Sequence, residues 1–328
     1  MGKAIIFAPI ELLEERYSAQ WYEWFMASFK RAGIKPIVVG DTEPRKITQG
    51  QFLDVVETNK YKAKQLCQIL SHIERGFKGT IFFMDMWFPG IEMLAYIRDN
   101  LKKNLKISGI LHAGTWDAWD FLSQNGLGYW AQHTEKGWCA LADQILVATQ
   151  FHKQLIIGER RLNLHHERKM EIVEFPVYQN EQLRNSPKED IVVFPHRLAP
   201  EKQPELFAQV EKECKYTYPE MSGVQFIISK EVCKTKQEYY ELLARSKVAV
   251  SFALQETFGI AMLEAENMGC IPVAPDRLSY VETLYPYPRF ETGNMSQAAK
   301  LIHDAWKTYK APTPRYAPNA DDIINHII

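Results

Sequence analysis

No apolar run in this 328-residue chain approaches the ~18 residues that a membrane-spanning helix needs, so insertion into a bilayer is not expected. A cysteine pattern is missing too. The five cysteines (67, 139, 214, 233 and 270) are odd in number, widely spaced and free of any C-x-x-C pair. That argues against a disulfide scaffold or a zinc knuckle and for a reducing, cytoplasmic setting. Charge of one sign is also lacking. A formal net charge of −1 excludes a globally basic nucleic-acid binder and leaves room for local basic patches. Two occur, RDNLKKNLK at 98–106 and GERRLNLHHERK at 158–169, and taken alone each reads as a solvated face. Repeats and low-complexity tracts are absent. The opening MGKAIIFAPIELLEER turns acidic too soon for a secretory signal and reads as a first strand. It begins Met-Gly, but Ile6 stands where myristoylation wants Ser or Thr.

What the chain does contain is ordinary for a globular protein, 46% hydrophobic and 24% charged, at a length that suggests two domains. Short runs rich in Ile, Val and Phe read as strands buried on both faces: 4–9, 35–40, 79–85, 107–113 and 143–149. Helical stretches near 16–32, 61–75, 90–103 and 129–142 separate them, while 41–60 reads as a long loop. After MEIVEFPVY (170–178), the polar stretch 179–190 reads as an interdomain linker. Strands at 190–195, 224–229, 247–252 and 270–275 then alternate with helices at 204–214, 236–246, 258–268 and 295–309. This alternation predicts an α/β protein of two doubly wound parallel sheets. The expected domains are 1–180 and 188–311, with 312–328 a candidate to rejoin the first. Ligands in such folds gather at the carboxyl ends of the strands, and two facing domains would share one cleft.

Two loops at such ends carry charge. VVFPHRLAPEKQPELF places Arg197 and Lys202 ahead of a helix, a fork and a point charge suited to a diphosphate. FALQETFGIAMLE carries Glu256 just before a helix whose first amides, around Thr257, Phe258, Gly259 and Ile260, are unpaired donors. Glu264 lies two turns into that helix among apolar residues, where an unpaired charge is costly. It awaits either a ligand hydroxyl or an ion pair with a neighbouring element.

These segments, in this order, resemble the donor-binding half of the retaining GT-B glycosyltransferases, whose signature is R-x4-K followed by E-x7-E. Arg197 and Lys202 match the first, Glu256 and Glu264 the second, and the likeness covers about 190–285. The wording of PHR and GIAMLEAENMGCIPVAPDRLSYVE is most similar to the tRNA-queuosine mannosyltransferase branch. The resemblance implies a GT-B architecture and a donor that is a UDP- or GDP-linked sugar, with no further cofactor. It also implies transfer with retention, and a histidine near the sugar's reacting carbon after the fourth strand, here His112 in ILHAGTWDAWDF. Asp117 and Asp85 stand as base candidates, and Trp116, Trp119 and Asp120 as acceptor contacts. The first loop, FAPIELLEERYS, has no glycine where GT-B donors usually meet a glycine-rich turn. No D-x-D occurs, so the resemblance implies a metal-independent enzyme, and His165 and His166 are not read as metal ligands. The favoured acceptor is a modified nucleobase, a hydroxymethylpyrimidine in DNA or queuosine in tRNA, with a base stacked on the Trp-rich loop and phosphates on the basic clusters. A glycan, lipid or small-molecule acceptor, or a non-catalytic sugar-nucleotide-binding module, are the alternatives.

Overall fold

Strands covered on both faces need no polar side, and the Ile-, Val- and Phe-rich runs become the strands of two parallel sheets. The computed structural model describes residues 4–14, 16–46 and 54–328. The chain divides into one compact unit of Met1–Pro176 with Asn319–Ile328, and another of Val177–Pro318. In the first, β1 (Ile5–Ala8), β2 (Ile37–Val38), β3 (Gly79–Phe83), β4 (Leu105–Ile110), β5 (Gln144–Val147) and β6 (Met170–Ile172) lie in the order β2-β1-β3-β4-β5-β6. The helices are α1 (Tyr17–Arg31), α2 (Val55–Glu74), α3 (Ile91–Asn100), α4 (Phe121–Gln124), α5 (Gly128–Leu141), α6 (Gln150–Arg160) and α7 (Leu164–Glu167). Strand order reverses between β1 and β3, the switch point beside which ligands bind in open α/β sheets. Trp21, Phe25 and Phe29, four apart on α1, form its buried face, and Phe25 stacks on Phe7 of β1 with centroids 5.4 Å apart.

The second unit carries α8 (Glu181–Arg184), β7 (Ile191–Phe194), α9 (Pro204–Thr217), β8 (Gln225–Ile228), α10 (Ser229–Val232) and α11 (Lys236–Arg245). It continues through β9 (Val248–Val250), α12 (Ile260–Asn267), β10 (Ile271–Val273), α13 (Tyr280–Thr283) and α14 (Met295–Lys307). Its sheet runs β10-β9-β7-β8, all parallel, with its own reversal between β7 and β9. Phe207, Val210 and Cys214 of α9 and Ala298, Ala299 and Ile302 of α14 fill its core. The last helix, α15 (Asp321–Ile327), belongs to the first unit, where Arg31 pairs with Asp321 at 2.6 Å and Gln144 Nε2 donates to the His326 carbonyl at 2.9 Å.

Several expectations change. The 41–60 loop is helical from Val55, because Asp54 caps α2 by accepting from the Glu57 amide at 3.3 Å. Val55 and Val56 point outward, which disguises the start of that helix. Residues 47–53 and the Met-Gly start lie outside the described residues. The 179–190 stretch is not a bare tether: it contains α8, capped by Asn180, and falls in the second unit. Helix α6 had no counterpart in the sequence pattern, because its buried positions, four apart, are His152, Ile156 and Arg160. All five cysteines are free, and no described helix is long and apolar enough to cross a membrane.

Residues 312–318 stay with the second unit because Arg315 is clamped there. Its guanidinium meets both oxygens of the fully buried Glu266 at 2.6 Å and also donates to the Thr283 and Tyr285 carbonyls. Arg315→Ala leaves that carboxylate buried and unpaired and is expected to cost the second unit about 3 kcal/mol. Thermal unfolding should register it as a loss of roughly 6–12 °C. Arg31→Ala, which breaks the exposed Asp321 pair, should cost under about 1 kcal/mol.

Candidate functional site

At the switch point of the second sheet, the loops after β7 and β9 are tied together, the Leu254 amide donating to the Glu201 carbonyl at 2.7 Å. The β7 loop ends in a 3-10 turn, Pro200–Lys202, and Gln203 takes a left-handed conformation (φ 52°) so that α9 starts at Pro204. This turn sends Lys202 inward. Lys202 is only 6% exposed, and its ammonium contacts the Gln255 carbonyl at 2.5 Å and Glu256 Oε1 at 2.8 Å. His196 lies alongside, its Nδ1 3.8 Å from the same oxygen and its Nε2 2.8 Å from Ser251 Oγ, which in turn meets the Tyr280 hydroxyl at 2.8 Å. Burial, reinforced by Lys202 and Arg197, holds His196 well below the usual imidazole range, so the ring is neutral. Glu256 therefore has one oxygen occupied, while Oε2 has no partner among the described residues.

Gly259 opens α12. Its φ of +87° suits glycine, and a Cβ there would lie 2.9 Å from the Tyr280 ring. The first amides of α12 thus follow directly on Glu256, at the positive end of the helix dipole. Phe258 is buried, edge-on to Tyr316 at 5.5 Å, so it packs and does not line an open surface. Arg197 sits at the rim, 42% exposed, its guanidinium paired with Glu201 at 2.5 Å. Glu264 is answered from within its own unit: Tyr239 donates to Oε2 at 3.1 Å, Tyr240 to Oε1 at 2.9 Å, and Lys236 lies 3.5 Å from Oε1. Ser251, Tyr280 and Arg277 carry no local pattern that marks them as site residues. Arg277 comes from the loop after β10 and donates to the Ala253 carbonyl at 2.7 Å, with its Nε left unpartnered.

In the first unit the carboxyl ends of β3 and β4 carry Asp85 and His112. His112 Nε2 lies 2.8 Å from the Met84 carbonyl, and the ring is boxed by Tyr17, Trp21 and Phe175. Burial lowers its pKa while Asp85 opposes that shift. Asp85 Oδ1 accepts from the Trp87 amide at 3.0 Å, and Oδ2 has no partner among the described residues. The remaining expected residues serve the backbone or the core. Asp117 accepts from the Trp119 amide, Asp120 caps α4 through the Leu122 amide, and both are buried. Trp116 is 2% exposed, packed beside His152, with no face for an incoming ring, whereas Trp119 is 43% exposed. The loops are braced by a group that sequence reasoning missed. Glu135 of α5, fully buried, accepts from Trp87 Nε1, from the Thr115 amide and hydroxyl, and from Arg160 Nε at 3.0 Å. No group of three or more His, Cys, Asp or Glu among the described residues is arranged to hold a metal ion.

Two doubly wound parallel units define the class: an α/β protein of the GT-B fold. The chain is similar in structure to Anabaena HepE in complex with UDP and glucose, at a TM-score of 0.58 and 14% identity, over 100% of this chain and 96% of that one. Sucrose-phosphate synthase of Thermosynechococcus elongatus matches at 0.61 and 11%, over 99% and 97%. The UDP-forming trehalose-phosphate synthase of Burkholderia vietnamiensis matches at 0.60 and 12%, over 93% and 92%. In sequence, the chain is 25% identical over 205 residues to the tRNA-queuosine alpha-mannosyltransferase of Drosophila melanogaster. That match takes in 49% of this chain and spans about half, 54%, of the curated relative. No family model matches.

The buried histidines give the fold a pH dependence. His152 is fully buried with neither ring nitrogen partnered, and burial pushes its pKa down to about 3. It stays neutral in the folded state while the unfolded chain takes up a proton near pH ~6.5. Stability is therefore complete above about pH 6.5 and falls as pH drops toward about 3, by about 1.4 kcal/mol per pH unit for each such histidine. His152→Leu should flatten this slope in urea unfolding measured between about pH 6 and 4.

Proposed function

We propose that the chain is a glycosyltransferase whose second unit holds a nucleotide-diphosphate sugar, UDP- or GDP-linked. One observation carries this reading: Lys202, Glu256 and the first turn of α12 converge at the switch point of that unit's sheet, with Glu256 Oε2 unengaged. The GT-B fold and the names of the structural neighbours, one in complex with UDP and glucose and one UDP-forming, support it. In this reading Lys202 and the α12 amides at Gly259 and Ile260 stabilise the charge that builds on the departing diphosphate. Arg197 joins them by exchanging Glu201 for phosphate. Glu256 takes sugar hydroxyls on Oε2. Glu264 Oε2 accepts one tyrosine hydroxyl and keeps a lone pair for a ribose hydroxyl.

The acceptor oxygen forms a bond to the anomeric carbon as the bond to the diphosphate breaks, and the acceptor's proton leaves to a carboxylate or to the departing phosphate. We assign the acceptor side to the first unit, with His112 as a positioning group, Asp85 as the proton acceptor and Trp119 as a contact. Asp117 is withdrawn as a base and Asp120 as an acceptor contact because their carboxylates hold the turn. Neither donor nor chemistry in this scheme calls on a metal ion, and transfer proceeds with retention. The favoured acceptor is a modified nucleobase in DNA or tRNA, supported by the similarity to a tRNA-queuosine alpha-mannosyltransferase. A small sugar acceptor is the second reading, favoured by the names of the sucrose- and trehalose-phosphate synthases.

The test is a turnover screen of sugar nucleotides against hydroxymethylated duplex DNA, tRNA and sugar phosphates, read by mass spectrometry. Lys202→Ala and Glu256→Ala should each lower turnover by at least about a hundredfold, measured at a temperature where the variant is folded, because each also leaves a buried charge unpaired and lowers thermal stability. Near-normal turnover in either variant would contradict the assignment.

A further inference from the structure

Helix α5 turns one face to solvent along its whole length. Tyr129, Gln132, His133, Lys136 and Ala140, spaced three and four apart, are all exposed, and Tyr129 is 77% exposed. Trp130 flanks this face at its amino-terminal end, 38% exposed, its ring edge-on to Trp87 at 6.2 Å. At the other end Lys169 Nζ donates to the Ala140 carbonyl at 2.9 Å, which joins the stripe to the basic segment around α7. There Arg168 and His165 are exposed and His166 is half-buried.

The cations here are left without carboxylates. Among the described residues Lys136, Arg168 and Lys169 form no ion pair, although Glu159 and Glu167 lie on the same segment. The field they make is felt locally: burial first, then Lys169, His165 and Lys136, push the pKa of His166 down. Such crowding of like charge, left without carboxylate partners, costs stability and is relieved by an anion. Aromatic rings at one end of an unneutralised cationic row are the composition that single nucleic-acid strands recognise, bases stacking while phosphates meet the cations. An anionic lipid surface would ask for an apolar face to insert, and between Tyr129 and Ala140 the exposed positions along this face are Gln132, His133 and Lys136, with no large aliphatic side chain.

We propose that this face, from Tyr129 and Trp130 through Lys136 to Arg168 and Lys169, is a nucleic-acid-binding track. The residues from 129 to 140 span about 16 Å at ~1.5 Å per residue. That reach matches about four or five stacked nucleotides at ~3.4 Å each. The track deepens the acceptor part of the function proposed above and is independent of the donor site, because none of its residues belongs to the second unit.

Fluorescence anisotropy of labelled single-stranded DNA, duplex DNA and RNA, titrated with the full chain between about 50 and 300 mM salt, tests it. Binding should weaken with salt. The double variant Lys136→Glu/Arg168→Glu, both at exposed positions, should bind at least tenfold more weakly, with the salt slope reduced by about two. Tyr129→Ala should weaken binding while leaving the slope unchanged. Absence of nucleic-acid binding by the wild type, or unaltered binding by the double variant, overturns the track. Binding to vesicles of anionic phospholipid with none to nucleic acid overturns it as well. Calorimetry with UDP on the wild type separates the two readings: UDP binding without nucleic-acid binding ends the track and spares the donor site, and nucleic-acid binding without UDP binding upholds the track alone.

Discussion

The geometry of the proposed donor site depends on one buried ion pair. Lys202 is driven inward by the left-handed turn at Gln203, and its ammonium is held by the Gln255 carbonyl and by Glu256 Oε1. Taking both charges out of water is costly and is offset only because each meets a hydrogen-bonding partner. That constraint orders the rest. It fixes the β9 loop against the β7 loop, engages Glu256 through Oε1, and sets the start of α12 where Gly259 can follow. The neutral His196, anchored on Ser251 and through it on Tyr280, lies 3.8 Å from the same carboxylate oxygen. A ligand carrying negative charge would find a cation already desolvated and placed, and would exchange for contacts that the loop itself supplies.

The first unit is organised by a second buried pair, Glu135 with Arg160. It holds Thr115 of the β4 loop and Trp87 of the β3 loop with a single carboxylate. The two loops that carry His112 and Asp85 are thereby braced from beneath by helices α5 and α6, and the turn formed by Asp117 and Asp120 becomes part of that scaffold. The same helix α5 sends Glu135 inward and Tyr129, His133 and Lys136 outward, so one amphipathic element supports the loops and displays the cationic face.

Much of this architecture was legible in the residues. Strands such as IIFA and IVVF are apolar on both faces and cannot be mistaken for surface segments, and the R-x4-K and E-x7-E spacings placed Arg197, Lys202, Glu256 and Glu264 on the correct strand–loop–helix elements. What escaped was set by tertiary partners. Helix α6 buries His152 and Arg160 in positions that a periodicity search reserves for apolar residues. Glu135 reads as an ordinary surface charge until Arg160 arrives from another helix. Trp116 reads as a loop aromatic until its ring is found packed into the core. The question posed by a carboxylate in the middle of an apolar helix is answered by Tyr239, Tyr240 and Lys236, which no local pattern connects to Glu264.

Hydrogen–deuterium exchange of the full chain with and without UDP-glucose tests the desolvated Lys202–Glu256 pair as a donor site most directly. Occupation of that site should slow exchange in the loops at 196–203 and 253–263, which carry Lys202, Glu256 and the start of α12. Unchanged exchange there at saturating sugar nucleotide, with protection confined to other segments, would contradict it.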